Sequence, residues 1–404
     1  MQHLALLTCL LTAVASLAVA DVSTIQCPAE APVIRTVHLE ELWRLDPEDP
    51  DTPLMGLIQD VAADPGGDLY LVDRQLCQIL VYSREGEYQR TIGRQGEGPG
   101  EFLRPTEIYL LPDETLSIRE GYPAKIEGLE RDGTPTTRWS SIGTGYVHRA
   151  RPLAGGYVLA SQDRDHARST GALSYKTVRI ASYDGEGNRM HDFFHDDQKT
   201  SFDPPIYDES ESFFPQAAWD LTPDNRLVLA PDREQYRLEL YRSDGTLDWV
   251  IERPMKPHRR SRKDKDEVAE NVGYSVNGQN VEVECHIMDT DPMISSLTVT
   301  SDGSIAVRTC HTRRLDIEGL IDCYDLHAPD GTLCEQIRIV ANPAIAELGS
   351  WHDLGDGHMA CVHQYGDAAS MYWSSMGGGD EDDNDDLNEI MLTVSCWKMV
   401  DAAP

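Results

Sequence analysis

Three groups of residues carry side chains with obvious chemistry, and the first is sulfur. The chain has nine cysteines. Cys9 sits in an apolar N-terminal run, which leaves Cys27, Cys77, Cys285, Cys310, Cys323, Cys334, Cys361 and Cys396. No two are spaced as C-x-x-C, so a zinc site is the weaker reading, and an even number in an exported chain suggests disulfides. Cys361 with Cys396, and Cys310 with Cys323, each bracket a loop almost symmetrically and are the disulfide candidates. The second group is the acidic tract Asp380-Glu381-Asp382-Asp383-Asn384-Asp385-Asp386. Asp380, Asp382, Asp383 and Asp386 could give Ca²⁺ its oxygen ligands. The EF-hand frame fails, however: counting from Asp380, Asp385 stands where Gly is needed and Met391 where Glu is needed. A solvated acidic loop is the simpler reading. The third group is Lys256-Pro257-His258-Arg259-Arg260-Ser261-Arg262-Lys263-Asp264-Lys265, a basic island in an acidic chain. Arg259, Arg260, Arg262 and Lys263 could contact an anion, an acidic partner or the acidic surface of another copy; a solvated loop is the plainer alternative. No nucleophile elbow and no His-Glu-x-x-His occurs.

Composition narrows the setting. Residues 4–19 are apolar and uncharged and end in Ala18-Val19-Ala20, the small-x-small pattern of a signal-peptidase site. This predicts a signal peptide over 1–20 and export to the periplasm or beyond. The run is short for a bilayer span, and no later segment is long and apolar enough to be one. The 404 residues hold 35 Lys and Arg against 69 Asp and Glu, a formal charge of −34. Such a surface repels nucleic acid and anionic membranes and keeps the protein soluble. Nucleic-acid binding is therefore excluded, and the charge itself fits a salty or cation-rich environment.

The elements that must position these groups announce themselves through turns. Glu85-Gly86, Asp132-Gly133, Asp184-Gly185, Asp244-Gly245 and Asp330-Gly331 each lie between two β-type runs. Gly enters positive φ freely, so this is a strong hairpin signal. A second series interleaves with it: Asp64-Pro65-Gly66-Gly67, Pro112-Asp113-Glu114, Ala154-Gly155-Gly156, Pro223-Asp224-Asn225, Ser301-Asp302-Gly303 and Gly355-Asp356-Gly357. Six copies of one four-stranded unit, strands A to D, at roughly 40–45 residues plus insertions, describe a six-bladed, all-β propeller. The second series joins A to B and the first joins C to D. The last blade lacks its C–D turn because the chain ends. Ile34-Arg35-Thr36-Val37-His38-Leu39 is the strand expected to complete it and close the ring. The predicted organisation is a lead segment over 21–32 and one propeller domain over 33–404, with an insertion at 254–292 between blades four and five.

Residues 58–105 resemble an NHL repeat, the unit of a large class of six-bladed propellers that includes exported bacterial proteins. The likeness is carried by Asp68-Leu69-Tyr70-Leu71-Val72-Asp73, by Gln78-Ile79-Leu80-Val81-Tyr82, and by Ile92-Gly93-Arg94-Gln95-Gly96-Glu97-Gly98-Pro99-Gly100-Glu101-Phe102 with Pro105 beyond. The glycines permit tight turns between blades, and Phe102 is placed to plug the seam between neighbouring sheets. No helix pattern and no Lys-Ser/Thr follows, so the run is not a phosphate loop. The resemblance implies that metal-binding or acid–base residues, where such propellers have them, stand at the tops of the inner strands around the central channel. The matching positions are Gln59, Glu107, His148, Trp219, Ser295, Trp351 and His352. They compose neither a three-histidine set nor a carboxylate ring.

In a four-stranded blade the A–B and C–D turns share one face of the disc, while B–C loops and blade-to-blade connections share the other. The long segments 163–175, 195–216, 254–292, 312–320 and 364–388 all belong to the second class. One face has therefore been elaborated on a rigid scaffold, which is where binding usually resides. The expectation is a monomeric, non-catalytic propeller that binds a protein, peptide or glycan through its long-loop face. The alternative is a Ca²⁺- or Zn²⁺-dependent hydrolase or lyase at the channel mouth.

Overall fold

The protein is a six-bladed β-propeller in a computed structural model that describes residues 22–111, 113–122, 124–136, 140–141, 145–153, 155–276, 279–346, 349–376 and 392–401. Blade one is the plainest unit. Its strands Ile58–Ala63, Leu69–Asp73, Gln78–Tyr82 and Tyr88–Ile92 form an antiparallel sheet in sequence order. Blade two repeats the order with Pro105–Leu110, Leu116–Glu120, Lys125–Leu129 and a two-residue outer strand, Ser140–Ser141. Blade four uses Trp219–Leu221, Leu227–Leu229, Tyr236–Tyr241 and Leu247–Arg253. The B and C strands of blade one are almost wholly buried because both faces of each blade pack on neighbours.

Seams between blades form the core. Tyr70, Val72, Ile79 and Val81 of blade one meet Ile108, Leu116, Ile118 and Leu129 of blade two. Phe102 sits fully buried in that seam, as its place in the Gly-rich run suggested. Gly93, at φ +78°, makes the room: a Cβ there would lie 2.2 Å from Cε2 of Phe102.

The N-terminal segment closes the ring. Ile34–Arg44 pairs antiparallel with Thr393–Asp401 and supplies the outer strand of blade six, whose inner strands are Gly349–Gly355 and His358–His363. The clasp does more than the sequence indicated. Residues 34–38 also pair in parallel with the outer strand of blade five, Leu333–Val340, and merge blades five and six into one eight-stranded sheet. Upstream, Ser23–Gln26 adds a fifth, parallel strand to blade four alongside Leu247–Arg253. Cys27 then inserts into the seam of blades four and five, beside His327, whose Nε2 lies 2.7 Å from the Tyr236 hydroxyl.

The segments read as long loops are partly regular structure. In blade three, Gly156–Asp165, Leu173–Asp184 and Arg189–Phe202 continue as paired strands well past the length of the blade-one strands. At ~3.3 Å per residue this raises a ridge on the long-loop face. The connection from blade four to blade five carries a helix, Arg262–Glu270, whose N-cap Ser261 and Asp264 form a reciprocal capping box. The B–C connection of blade six carries a second helix, Tyr365–Met376.

The disulfide candidates are free thiols. Cys361 stands opposite Ser395, and Cys396 stands opposite Ala360. The two cysteines are one register step apart, so their side chains leave opposite faces of the sheet and cannot be bridged. Cys310 accepts the His258 backbone N–H in the seam of blades four and five, and Cys323 lies on the C strand of blade five with its own buried thiol. The predicted signal segment and the acidic tract with Asp380, Asp382, Asp383 and Asp386 lie outside the described residues.

Candidate functional site

The six inner strands meet at the propeller axis, and polar contacts link them almost around the ring. Asp60 of blade one accepts the Ile108 backbone N–H of blade two at 3.0 Å. Glu107 of blade two takes Arg151 of blade three at 2.6 Å and Arg119 of its own blade at 2.7 Å. Arg151 also reaches Asp220 of blade four at 2.9 Å. Asp220 in turn accepts the Val299 N–H of blade five at 3.1 Å. Arg149 crosses further: it pairs with Asp220 at 3.3 Å, donates to the Trp219 carbonyl, and reaches the Ala217 carbonyl at 3.2 Å. Three arginines and two acids thus fill the side of the axis formed by blades two, three and four.

The electrostatics follow from this packing. Burial alone would raise the Glu107 carboxyl, but the Arg151, Arg119 and Arg149 charges outweigh it and hold its pKa at about 2. Burial pulls Arg149 down, with Arg151 adding to the effect, whereas Glu107 and Asp220 overcome burial and push Arg151 up. Both acids are spent on arginines. Among the described residues, no group of three or more His, Cys, Asp or Glu side chains is placed to hold a metal ion.

The expected channel-mouth residues divide sharply. Glu107 is locked into the network just described. Trp219 is a core residue, fully buried between blades three and four against Val158, Ala160 and Ile180, with its indole N–H on the Gln216 carbonyl. Trp351 likewise packs edge-on against Trp397 among Val37, Leu39 and Ile339. These two tryptophans are therefore not available as channel-mouth contacts, since strand alternation turns each into a seam. His148 lies between Tyr146 and Phe214, with ring centroids 4.7 and 5.5 Å away. Burial, then the Arg119 and Lys176 charges, lowers its pKa to about 4, so it is a neutral packed imidazole at pH 7. Ser295 is exposed and donates to the Arg308 carbonyl across its own hairpin.

Gln59 and His352 remain, and they stand on the side of the axis formed by blades six and one. Gln59 Nε2 donates to the Tyr365 hydroxyl at 3.0 Å, where the blade-six helix begins. His352 Nδ1 lies 3.5 Å from Asp60 Oδ1, and its Nε2 lies 3.4 Å from Ser350 Oγ. Sequence reasoning singled out Gln59 and His352 and missed Asp60, Ser350, Tyr365 and the three arginines. Alternation was the available signal: Ser350 and His352 flank seam-facing Trp351 and so must share the opposite face.

The basic island is mostly committed to the fold. The Arg260 guanidinium is buried between Glu209 and Asp291, each at 2.6 Å, and anchors the insertion, so it is not a loop-face contact. Glu209 also holds Arg233 at 2.8 Å. Arg259, Arg262 and Lys263 are exposed.

The long-loop face carries a different feature, exposed aromatic side chains. Tyr122, at the B–C turn of blade two, is 61% exposed, and Trp373 on the blade-six helix is 51% exposed. Tyr146, leading into the inner strand of blade three, is also open. Trp373 is held rather than loose: the Arg74 guanidinium lies 4.9 Å from its ring centroid and also packs on Tyr372.

A family described as a 6-bladed beta-propeller matches residues 48–118. No curated protein sequence matches the chain. Among solved structures, a putative exported protein from Bacteroides fragilis NCTC 9343 is 12% identical, with 93% of this chain and 99% of that one covered and a TM-score of 0.47. The calcium-binding protein regucalcin from Agrobacterium tumefaciens str. C58 is 11% identical over 94% of this chain and 97% of its own, at a TM-score of 0.37. A gluconolactonase from Xanthomonas campestris is 10% identical over 90% and 89%, at 0.40.

Proposed function

We propose that this six-bladed β-propeller is an exported binding protein whose long-loop face stacks the sugar rings of an uncharged glycan on Tyr122, Tyr146 and Trp373. The observation that carries the reading is Trp373, half open to solvent yet oriented from behind by Arg74. An exposed indole leaves apolar area in water, and a fixed one loses little entropy when a ligand covers it. Polar atoms lie on the same face: the Gln59 amide and the Tyr365 hydroxyl are bonded to each other, and each keeps further hydrogen-bonding capacity for ligand hydroxyls. The charge of −34 disfavours polyanions, which suits an uncharged ligand. Metal-dependent chemistry in the channel finds less support, because Glu107 and Asp220 are both bound to arginine.

The test is titration calorimetry of the mature protein against neutral and acidic oligosaccharides and against peptides. Saturable binding of a neutral oligosaccharide, weakened by W373A, supports the reading. Binding of peptides alone transfers the surface to a protein partner, and loss of metal-dependent activity on chelation would revive the enzyme alternative.

A further inference from the structure

Beside that surface, we propose that Ser350, His352 and Asp60 act as nucleophile, base and orienting acid in the cleavage of small carboxylic esters. The three come from two neighbouring inner strands, Gly349–Gly355 and Ile58–Ala63. Ser350 and His352 are two residues apart on an extended strand and so project from one face, while Trp351 between them fills the seam. The imidazole is bracketed, with Asp60 3.5 Å from Nδ1 and Ser350 Oγ 3.4 Å from Nε2.

Asp60 is fixed independently of the histidine. Its Oδ2 accepts the Ile108 N–H at 3.0 Å, and its Oδ1 accepts the Val61 N–H at 3.0 Å. Among the described residues no arginine or lysine pairs with it, unlike Glu107 and Asp220. A carboxylate acceptor at Nδ1 selects the tautomer with its proton there and turns the Nε2 lone pair toward the serine hydroxyl. Both distances exceed the ~2.6–3.2 Å of a working pair, and such contacts shorten when substrate is bound. Access separates this set from another serine–histidine pair in blade six. His363 Nε2 is 2.7 Å from Ser395 Oγ, but Ser395 is fully buried and also accepts the Trp397 indole N–H. The His352 and Asp60 side chains retain 15% and 25% of their exposure.

The reaction balances without metal or co-reactant. Ser350 Oγ attacks the ester carbonyl carbon as its proton passes to His352 Nε2. The imidazolium returns that proton to the departing alkoxide, which leaves as the alcohol. Water then gives a proton to His352 while its oxygen attacks the acyl carbon; Ser350 Oγ leaves, recovers the proton, and the acid is released. Asp60 stays ionised throughout and stabilises the imidazolium. Half-buried positions between inner strands limit the substrate to esters slender enough to enter the mouth.

The full mature chain is treated with a fluorophosphonate probe and, separately, assayed with p-nitrophenyl acetate. Expected are phosphonylation of Ser350 by peptide mapping, its loss in S350A, and a rate lowered about 10²-fold or more in H352Q. D60N lowers the rate as well, with all three variants keeping the wild-type melting profile. An unlabelled Ser350 in cooperatively melting wild type overturns the proposal, as does labelling undiminished in H352Q. The probe carries no sugar, so either result leaves the aromatic rim to its own test.

Discussion

Trp43 donates its indole N–H to the Arg84 carbonyl at 2.8 Å, across the junction where the last blade meets the first. Its ring also lies on Gly86, where a Cβ would come within 2.7 Å of Trp43 Cδ2. The clasp strand therefore touches blade one as well as pairing with blades five and six. Trp43→Ala and Val37→Ala should each cost about 2 kcal/mol, because one loses a half-buried ring and the other two buried methyl groups. Ile34→Ala, on the same strand but exposed, should change stability by no more than about 0.5 kcal/mol. Urea unfolding of the three variants checks the order. Equal losses at all three positions would show that the strand contributes through its backbone alone.

Acid should weaken the fold in two separate windows. His148 has a folded pKa of about 4 against an ordinary 6.5, so the unfolded chain binds a proton first. Its contribution is complete above pH 6.5 and is lost as pH falls toward 4, amounting to about 1–2 kcal/mol after allowance for its partial exposure. Burial lowers His327 and His363 as well, and they act in the same direction. Glu107 follows at lower pH: its pKa falls from 4.5 to about 2, so its contribution is present above 4.5 and disappears toward 2. Melting temperatures from pH 7 to 3 check this, with His148→Phe expected to shrink the upper loss, which His327 and His363 share, and to leave the lower one unchanged.

The repeat was legible because turn chemistry is local. A glycine at positive φ between two apolar runs needs no tertiary information, and interleaved turns counted the blades and exposed the missing outer strand that residues 34–44 supply. Seams were less legible. Trp219 and Trp351 look like channel residues by position, yet whether an inner-strand side chain faces a seam or the axis depends on whether a bulge precedes it, and none precedes these two, unlike the inner strands of the other four blades. Register shifts fall at 58/60, 105/107, 147/149 and 294/296, and each moves the alternation by one residue. The same one-step ambiguity defeated the cysteine pairs. Asp60 and Ser350 were hidden for another reason: they are ordinary polar residues 290 positions apart, and only ring closure brings their strands together.

Arg151 ties two acids from different blades, Glu107 at 2.6 Å and Asp220 at 2.9 Å. Arg151→Met should therefore destabilise by about 3–5 kcal/mol, chiefly because it strands buried carboxylates. Combining it with Glu107→Gln should recover part of that loss, since one stranded charge is removed. Denaturant unfolding of both variants and their double measures the coupling; strict additivity would mean that the pair is not energetically linked.

Tyr122 and Trp373 project from the long-loop face and contribute little to the core, so their removal separates binding from stability. Tyr122→Ala and Trp373→Ala should each weaken oligosaccharide binding by about 0.5–1.5 kcal/mol. Tyr122→Ala should leave the melting temperature nearly unchanged, while Trp373→Ala should lower it slightly through the lost Arg74 contact. Tyr146→Ala is a poorer probe because it also uncovers His148. Calorimetric titration with thermal melts of each variant checks this, and parallel loss of binding and stability would place the aromatics in the scaffold instead.

Cys334 is the exposed thiol among the eight described, while Cys285 is half-buried and the other six are buried. Burial pushes the Cys323 pKa up to about 11 and that of Cys361 up to about 12, so neither supplies much thiolate at neutral pH. A thiol reagent should thus modify the native protein quickly at Cys334 and slowly or not at all elsewhere. After denaturation without reductant, the chain from residue 21 onward should release eight thiols, matching the free cysteines. A lower count restored by reductant would mean that oxidised pairs exist in the protein. Cys361 and Cys396 would then be the least probable pair, because joining side chains on opposite sheet faces requires the blade-six strands to slip by one residue and turn a buried face to solvent.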